Sequence, residues 1–264
     1  MSDFSAKDVQ RLRQATGAGM MDAKRALTEN AGDMEAAAQW LREKGMAKVA
    51  KLAERENTQG SVAVVVDGSV GAMVELKCET DFSAKSEDFT TLTHDMADAV
   101  LANGEEAISE LSERLDALRI SKRENIDIGR VIRYEAAEGG LLDSYLHLQE
   151  GRGVNGVLVE LSGGNRELAH QIAVHIAFSK PPYLTRDEVP ADAIERERAN
   201  LEGITRAEGK PEQAVPKIVE GRLNAWFKDQ VLLEQPYVKD DKQTISQLLG
   251  DAELVRFAQV FIGG

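Results

Sequence analysis

Cysteine is almost absent from this chain. The single thiol, Cys78, in 264 residues excludes an intrachain disulfide and fits a reducing compartment. Aromatic residues make up 5% against a hydrophobic share of 42%, so the core must be aliphatic and alanine-rich, with much helix. No apolar run approaches the ~18 residues of a membrane span. MSDFSAKDVQ offers no apolar signal segment, so a soluble, cytoplasmic protein is expected, with no membrane partner. Positive charge is also short: Lys and Arg number 32 against 45 Asp and Glu, a net −13. Proteins that bind nucleic acid gain affinity by neutralising phosphates, so direct nucleic-acid binding is not expected. The imbalance is uneven. Residues 1–55 carry 10 basic and 8 acidic side chains, and the remainder carries 22 and 37. A separate N-terminal module is the simplest reading.

Enzymatic signatures are equally scarce. No H-E-x-x-H, paired Cys or G-x-S-x-G occurs. Thr16-Gly17-Ala18-Gly19 precedes a helix but lacks the G-K-[ST] ending of a phosphate loop, and it reads as a helix–helix turn. His170 and His175 stand five apart on a helix, roughly 140° around its axis, and cannot share a metal as an i,i+4 pair does. Cys78 reads as a small buried hydrophobe at a strand end. No catalytic, cofactor or metal site is expected.

What is present is a sequence of regular elements. Ser5 and Asp8 form a capping box ahead of a helix with Val9 and Leu12 on its apolar face. A second helix is predicted over Met20–Glu29, and a third from a cap at Asp33, with Ala37 and Leu41 inward and Gly45 as its stop. Residues 46–57 read as a charged, helix-prone linker. β-rich runs at 62–66 and 70–76 flank Asp67-Gly68-Ser69, a hairpin signal. Helices are predicted over 82–101 and 105–118. A half-buried strand follows at 126–134, where Ile126, Ile128, Ile132 and Tyr134 share parity.

Strands at 141–148 and 156–161 come next, and here the chain repeats itself. Gly71-Ala72-Met73-Val74-Glu75-Leu76 and Gly156-Val157-Leu158-Val159-Glu160-Leu161 both fit G-x-Φ-V-E-L, each leading into a polar turn and a helix. A duplicated α+β unit is the better reading. Residues 190–234 form a charge-dense helical hairpin broken at Gly209-Lys210-Pro211. A short helix near 245–249 and a strand near 254–262 rejoin the second sheet. The expected domains are 1–55, 56–138 and 139–264, the last carrying the hairpin insertion 190–234 and a C-terminal segment 235–264.

The stretch Cys78-Glu79-Thr80-Asp81-Phe82-Ser83-Ala84-Lys85 raises a question that composition does not answer. Thr80 or Asp81 caps a helix, and Phe82 is either a core residue beside that cap or an anchor held out for another protein. Phe89 is also available for the core, and polar neighbours leave Phe82 without apolar company in sequence.

The combination resembles the bacterial elongation factor Ts family, the guanine-nucleotide exchange factors of elongation factor Tu. The resemblance rests on LRQATGAGMMDAKRAL from Leu12, ETDFSAK from Glu79, Glu124-Asn125-Ile126, IAVHIAFSKP from Ile172, Gly209-Lys210-Pro211 and IVEGR from Ile218. These cover essentially the whole chain in order.

The resemblance implies an α+β fold: an N-terminal three-helix module like a ubiquitin-associated domain, two related α+β core subdomains with antiparallel sheets, and a protruding antiparallel helical hairpin. It implies elongation factor Tu, GDP-bound and nucleotide-free, as partner in a heterodimer, with higher assembly open. Thr80, Asp81, Phe82 and Ser83 would enter the partner's nucleotide domain near its magnesium and phosphate site, so that GDP leaves. The N-terminal module, through Arg13, Gly17 and Met20, would hold that domain elsewhere, and His147 would grip another. Three positions depart from the family pattern: Ser83 where Val is usual, Arg123 where Gly often precedes E-N-I, and an apolar C-terminal strand at 257–262. Exchange of this kind needs no acid, base or nucleophile on the factor. The rival reading is a binding adaptor or assembly chaperone for a GTPase that does not stimulate exchange.

Overall fold

The computed structural model describes residues 4–49 and 51–263; the opening of the N-terminal module (1–3), position 50 of the linker and the last residue fall outside them. The chain divides into two compact units. The first takes the chain up to Glu135, Leu146–Gly156 and the end from Val260; the second takes Ala136–Tyr145 and Val157–Gln259.

Unit one begins with three helices, α1 (Ala6–Thr16), α2 (Met20–Glu29) and α3 (Met34–Val49). It continues with β1 (Gln59–Asp67), β2 (Val70–Cys78), α4 (Asp81–Ala84), α5 (Glu87–Asn103), α6 (Ser112–Lys122) and β3 (Asp127–Glu135). The expected capping box opens α1: the Ser5 hydroxyl accepts from the Asp8 amide, and the Asp8 carboxylate accepts from the Ser5 amide at 2.8 Å. Val9, Leu12, Ala23, Leu27, Ala37 and Leu41 then close a small core among the three helices.

Gly45 is not the stop predicted for the third helix. α3 runs through it to Val49. A Cβ at Gly45 would stand 2.7–2.9 Å from three side-chain atoms of Ile120 on α6, so this glycine permits close approach between helices. The first residues assigned to the linker are therefore helical.

The sheet has the order β1-β2-β3, all antiparallel. Ala72, Val74 and Leu76 on its central strand pack against Phe89, Leu92, Met96 and Val100 of α5. β3 departs from simple alternation. Val74 lies opposite Val131 but Leu76 opposite Ile128, so two residues, Gly129 and Arg130, face the single Glu75. The Glu75 carboxylate fills this bulge, accepting from the Arg130 amide at 3.0 Å, and a Cβ at Gly129 would meet it at 2.2 Å. Beyond the bulge the core-facing parity switches: Ile128 and then Val131 join the core, whereas Ile132 pairs with Met73. Shared parity along 126–134 is thus corrected by one inserted residue. The helix predicted over 82–101 is also two. Ser86 is extended (φ −69°, ψ 144°) and separates the single turn of α4 from α5. A 3₁₀ stretch, Glu105–Leu111, precedes α6 where one helix was predicted.

The remaining elements are β4 (Gly140–Gln149), β5 (Arg152–Ser162), α7 (Arg166–Ser179), α8 (Ala191–Ala207) and α9 (Val215–Gln230). They are followed by β6 (Pro236–Tyr237), β7 (Asp240–Thr244), α10 (Ile245–Leu249) and β8 (Glu253–Phe261). The second sheet has the order β4-β5-β8, so the C-terminal strand does join it. The small β6–β7 pair was not anticipated.

The sequence repeat has a structural counterpart. Val157, Val159 and Leu161 pack against Ala169, Ile172, Ala173 and Ile176, just as Ala72, Val74 and Leu76 pack on α5. Glu160, like Glu75, points to the opposite face; it accepts from the Ala137 amide at 3.3 Å and pairs with Arg256 at 2.5 Å. α8 and α9 pack on each other as the predicted hairpin, with Ile194, Leu201, Leu223, Trp226 and Phe227 between or beside them. Among the described residues no helix is long and apolar enough to cross a membrane.

Candidate functional site

Among the described residues Phe82 is the most exposed of the large apolar side chains, at 80% of its surface, and Phe89 on the next helix is fully buried. The two rings that sequence left interchangeable therefore divide the roles. Phe89 is core, and Phe82 stands in solvent on α4.

That display is built from the backbone up. β2 ends at Cys78, and Thr80 is extended (φ −123°, ψ 151°) as the N-cap, its hydroxyl accepting from the Ser83 amide at 3.2 Å. Glu124, just before β3, reaches across to this turn. One of its oxygens accepts from the Glu79 and Thr80 amides at 3.2 and 3.1 Å; the other accepts from the Thr80 and Ser83 hydroxyls at 2.8 and 2.6 Å. Glu79 reciprocates, accepting from the Asn125 amide at 2.7 Å. Asn125 is buried and donates from its side chain to the carbonyls of Ala53 and Arg55 at 3.2 and 2.6 Å. The buried Cys78 thiol donates to the Thr80 carbonyl at 3.1 Å, and burial pushes its pKa up to about 12, so it stays protonated.

The exposed side of the turn is charged. Lys85 stands 2.6 Å from Asp81 and 2.6 Å from Glu150, with its ammonium 5.4 Å from the centre of the Phe82 ring. The hydrogen bond from Lys85 holds the Asp81 carboxyl below its ordinary value, with a lesser effect from Arg152, while Asp81 and Glu150 raise Lys85. Arg152 is buried, donating to the Gly60 carbonyl at 2.6 Å and to Gln59 at 3.2 Å.

Ser83, grouped by sequence with the partner-facing residues, is buried with its hydroxyl on Glu124. The structure thus gives it a contact inside the chain. Arg13 and Met20 are exposed at the α1–α2 corner, and Gly17 between them adopts φ 67°, closing α1 with its amide on the Arg13 carbonyl at 2.9 Å. A Cβ at Gly17 would lie 3.6 Å from Ser121, and Arg123 is 3.9 Å from Asp22. The α1–α2 corner and the Thr80–Ser83 turn therefore both abut the segment 121–125. Arg123 is left-handed (φ 58°), a conformation that favours glycine, and its cation pairs with an acid of its own chain. His147 is exposed near the end of β4, and the adjoining hairpin reaches the turn through Glu150 and Lys85.

Sequence reasoning missed three residues of this cluster. Lys85 was recoverable, because Asp81 lies four residues before it on a helical turn. Glu124 and Glu150 join it across 44 and 65 positions; Glu124 belongs to the Glu124-Asn125-Ile126 motif, but no local pattern shows that either reaches this turn. A groove of about 1620 Å³ beside the α1–α2 corner is lined by Gly17, Asp22, Trp40, Leu52, Ser121 and Arg123; of the eight candidate residues, Gly17 alone lines it. The Phe82 side chain stands out from the turn, four-fifths exposed.

Comparison with known proteins bears on the family. Residues 79–263 match the family model described as Elongation factor TS. The chain is 46% identical to the elongation factor Ts of Kineococcus radiotolerans, over 96% of this chain and 95% of that one. It is also 46% identical to that of Acidothermus cellulolyticus over 100% and 99% of the two chains, and 42% identical to that of Streptomyces coelicolor over the full length of both.

Proposed function

From the premise that this chain belongs to the elongation factor Ts family, we propose that it acts on elongation factor Tu through the Thr80–Ser83 turn. It is a guanine-nucleotide exchange factor of translation elongation and not an enzyme. Phe82 enters the partner's nucleotide domain as a wedge, and Asp81 leaves Lys85 to bond groups beside it. The partner's hold on the magnesium and phosphates of GDP weakens, and GDP departs. Arg13, Gly17 and Met20 dock the same domain from the α1–α2 corner, and His147 contacts another. The observation that carries this reading is a phenylalanine 80% exposed on a turn held on both sides of it, by the Thr80 amide and the Ser83 hydroxyl donating to Glu124. Such a ring has no role in the core, and an aromatic anchor gains most from a pocket on another protein.

The division of labour into 1–55, 56–138 and 139–264, with the hairpin 190–234 as an insertion, is part of the same proposal. The charge contrast across residue 55 and the distinct three-helix core support it.

Energetically, a factor promotes release only by binding the nucleotide-free partner more tightly than the GDP form, and the two ligands weaken each other by the same factor. Titrating the chain against elongation factor Tu with and without GDP tests this. Tighter binding to the nucleotide-free form is expected. Equal affinity for both forms would leave only the adaptor reading.

A further inference from the structure

An ionised carboxylate offers about four lone-pair positions. Glu124 fills all of them from one turn: the amides of Glu79 and Thr80 on one oxygen, the hydroxyls of Thr80 and Ser83 on the other. None of these donors is a cation, so the contact is a set of aimed hydrogen bonds, charge-assisted on the acceptor side. The bonds flank Phe82 in sequence, two residues before it and one after, while Phe82 itself makes no use of the core. We propose that Glu124 is a positioning residue for nucleotide exchange: it pre-forms the Thr80–Ser83 turn, so that the ring reaches the partner without first being ordered. This deepens the wedge reading and rests on it.

The location of Glu124 explains how one side chain does this. The left-handed Arg123 ends α6 and reverses the chain, bringing Glu124 level with the end of β2. Arg119 holds the following residues, donating to the Ile126 carbonyl and the Asp127 carboxylate at 2.6 Å each. Glu124 is thus fixed from its own side and fixes the turn on the other. Without it, the cap bond from Ser83 to Thr80 would remain, but two backbone amides and a buried serine hydroxyl would lose their acceptor. The turn would then sample other forms, and the competent fraction would fall. An insertion step that follows encounter loses rate in proportion to that fraction, whereas the encounter surface is unchanged.

The test is a saturation series of fluorescent-GDP release from elongation factor Tu with the full chain, its Glu124→Ala and Glu124→Gln variants, and Phe82→Ala in parallel. Glu124→Ala should lower the maximal release rate at least tenfold, about 1.4 kcal/mol, with the half-saturating concentration nearly unchanged. Glu124→Gln should stay within about threefold of the parent, because its carbonyl still accepts from the two amides and the hydroxyls can turn to accept from its amide group. Hydrogen exchange at the peptide spanning 79–85 should quicken in Glu124→Ala. A folded Glu124→Ala with the parent's maximal rate overturns the proposal, and so does a Gln variant as slow as Ala. If Glu124→Ala does not fold, Ser83→Ala removes the 2.6 Å hydroxyl bond to Glu124 while keeping the cap bond, which uses the Ser83 amide, and must lower the maximal rate and quicken exchange at 79–85 in the same way; a folded Ser83→Ala with the parent's rate and exchange overturns it equally. Slow Phe82→Ala beside normal Glu124→Ala refutes the positioning role alone. Normal release by both refutes the wedge.

Discussion

Replacing Phe82 by alanine should leave the fold nearly untouched and cripple exchange. About a fifth of the ring surface is buried within the free chain. Full burial of a Phe side chain is worth about 1.5–3 kcal/mol, so truncation forfeits roughly 0.3–0.6 kcal/mol of folding free energy. The exposed contact with Lys85 adds little. Together these move the melting temperature of a chain this size by roughly 2–4 °C at most. The exposed four-fifths is the part a partner can bury, worth about 2 kcal/mol, and its loss from the exchange complex slows release roughly thirtyfold. Phe89→Ala is the converse. That ring is fully buried against the sheet, and its removal should cost about 3–5 kcal/mol, with exchange lost only as the folded fraction falls. Melting curves and stopped-flow release on both variants read the two quantities separately. An unstable Phe82→Ala whose folded fraction exchanges normally would make Phe82 a core residue and not a wedge.

Other consequences follow from the packing. Gly45→Val drives a branched side chain into Ile120 and should destabilise the contact of α3 with α6 by about 1–3 kcal/mol; adding Ile120→Ala should restore part of it, as a double-mutant cycle of melting curves would read. Arg123→Gly relieves a left-handed backbone and should leave stability unchanged or raise it by up to about 1 kcal/mol in urea titration, since the exposed pair with Asp22 is worth little. His175 is buried, bonded to Gln235 at 2.8 Å and accepting from the Val238 amide at 3.3 Å, and burial lowers its pKa from 6.5. A folded-state value below the unfolded one means that the unfolded chain takes up the proton first as pH falls. Stability should therefore drop below pH 6.5, by up to about 1.4 kcal/mol per pH unit, until the lowered folded-state value is passed, and His175→Gln should lose that component in a pH series of melts.

Local chemistry in the sequence carried most of the fold. The Ser5–Asp8 box, the Asp67–Ser69 turn and the paired G-x-Φ-V-E-L strands each act within a few residues, and each was legible. What stayed hidden depends on contacts between distant segments. Gly45 looks like a helix stop until Ile120, 75 positions on, is set against it. The parity of β3 fails at a bulge, one inserted residue, whose space is filled by Glu75 of the neighbouring strand. The candidate site divides in the same way. Phe82 is conspicuous because polar residues surround it, and its exposure follows from Phe89 taking the core position. Glu124, which shapes the turn, lies 44 residues from Thr80, and its motif with Asn125 and Ile126 does not say which segment its carboxylate holds.

The most direct measurement is the release of fluorescent GDP from elongation factor Tu in excess unlabelled GDP, with this chain added far below the concentration of its partner. Accelerated release is expected, in which each molecule of the chain discharges many molecules of the partner, with a rate that rises in proportion to added chain. Release at the spontaneous rate, or a single discharge per molecule added, would contradict it.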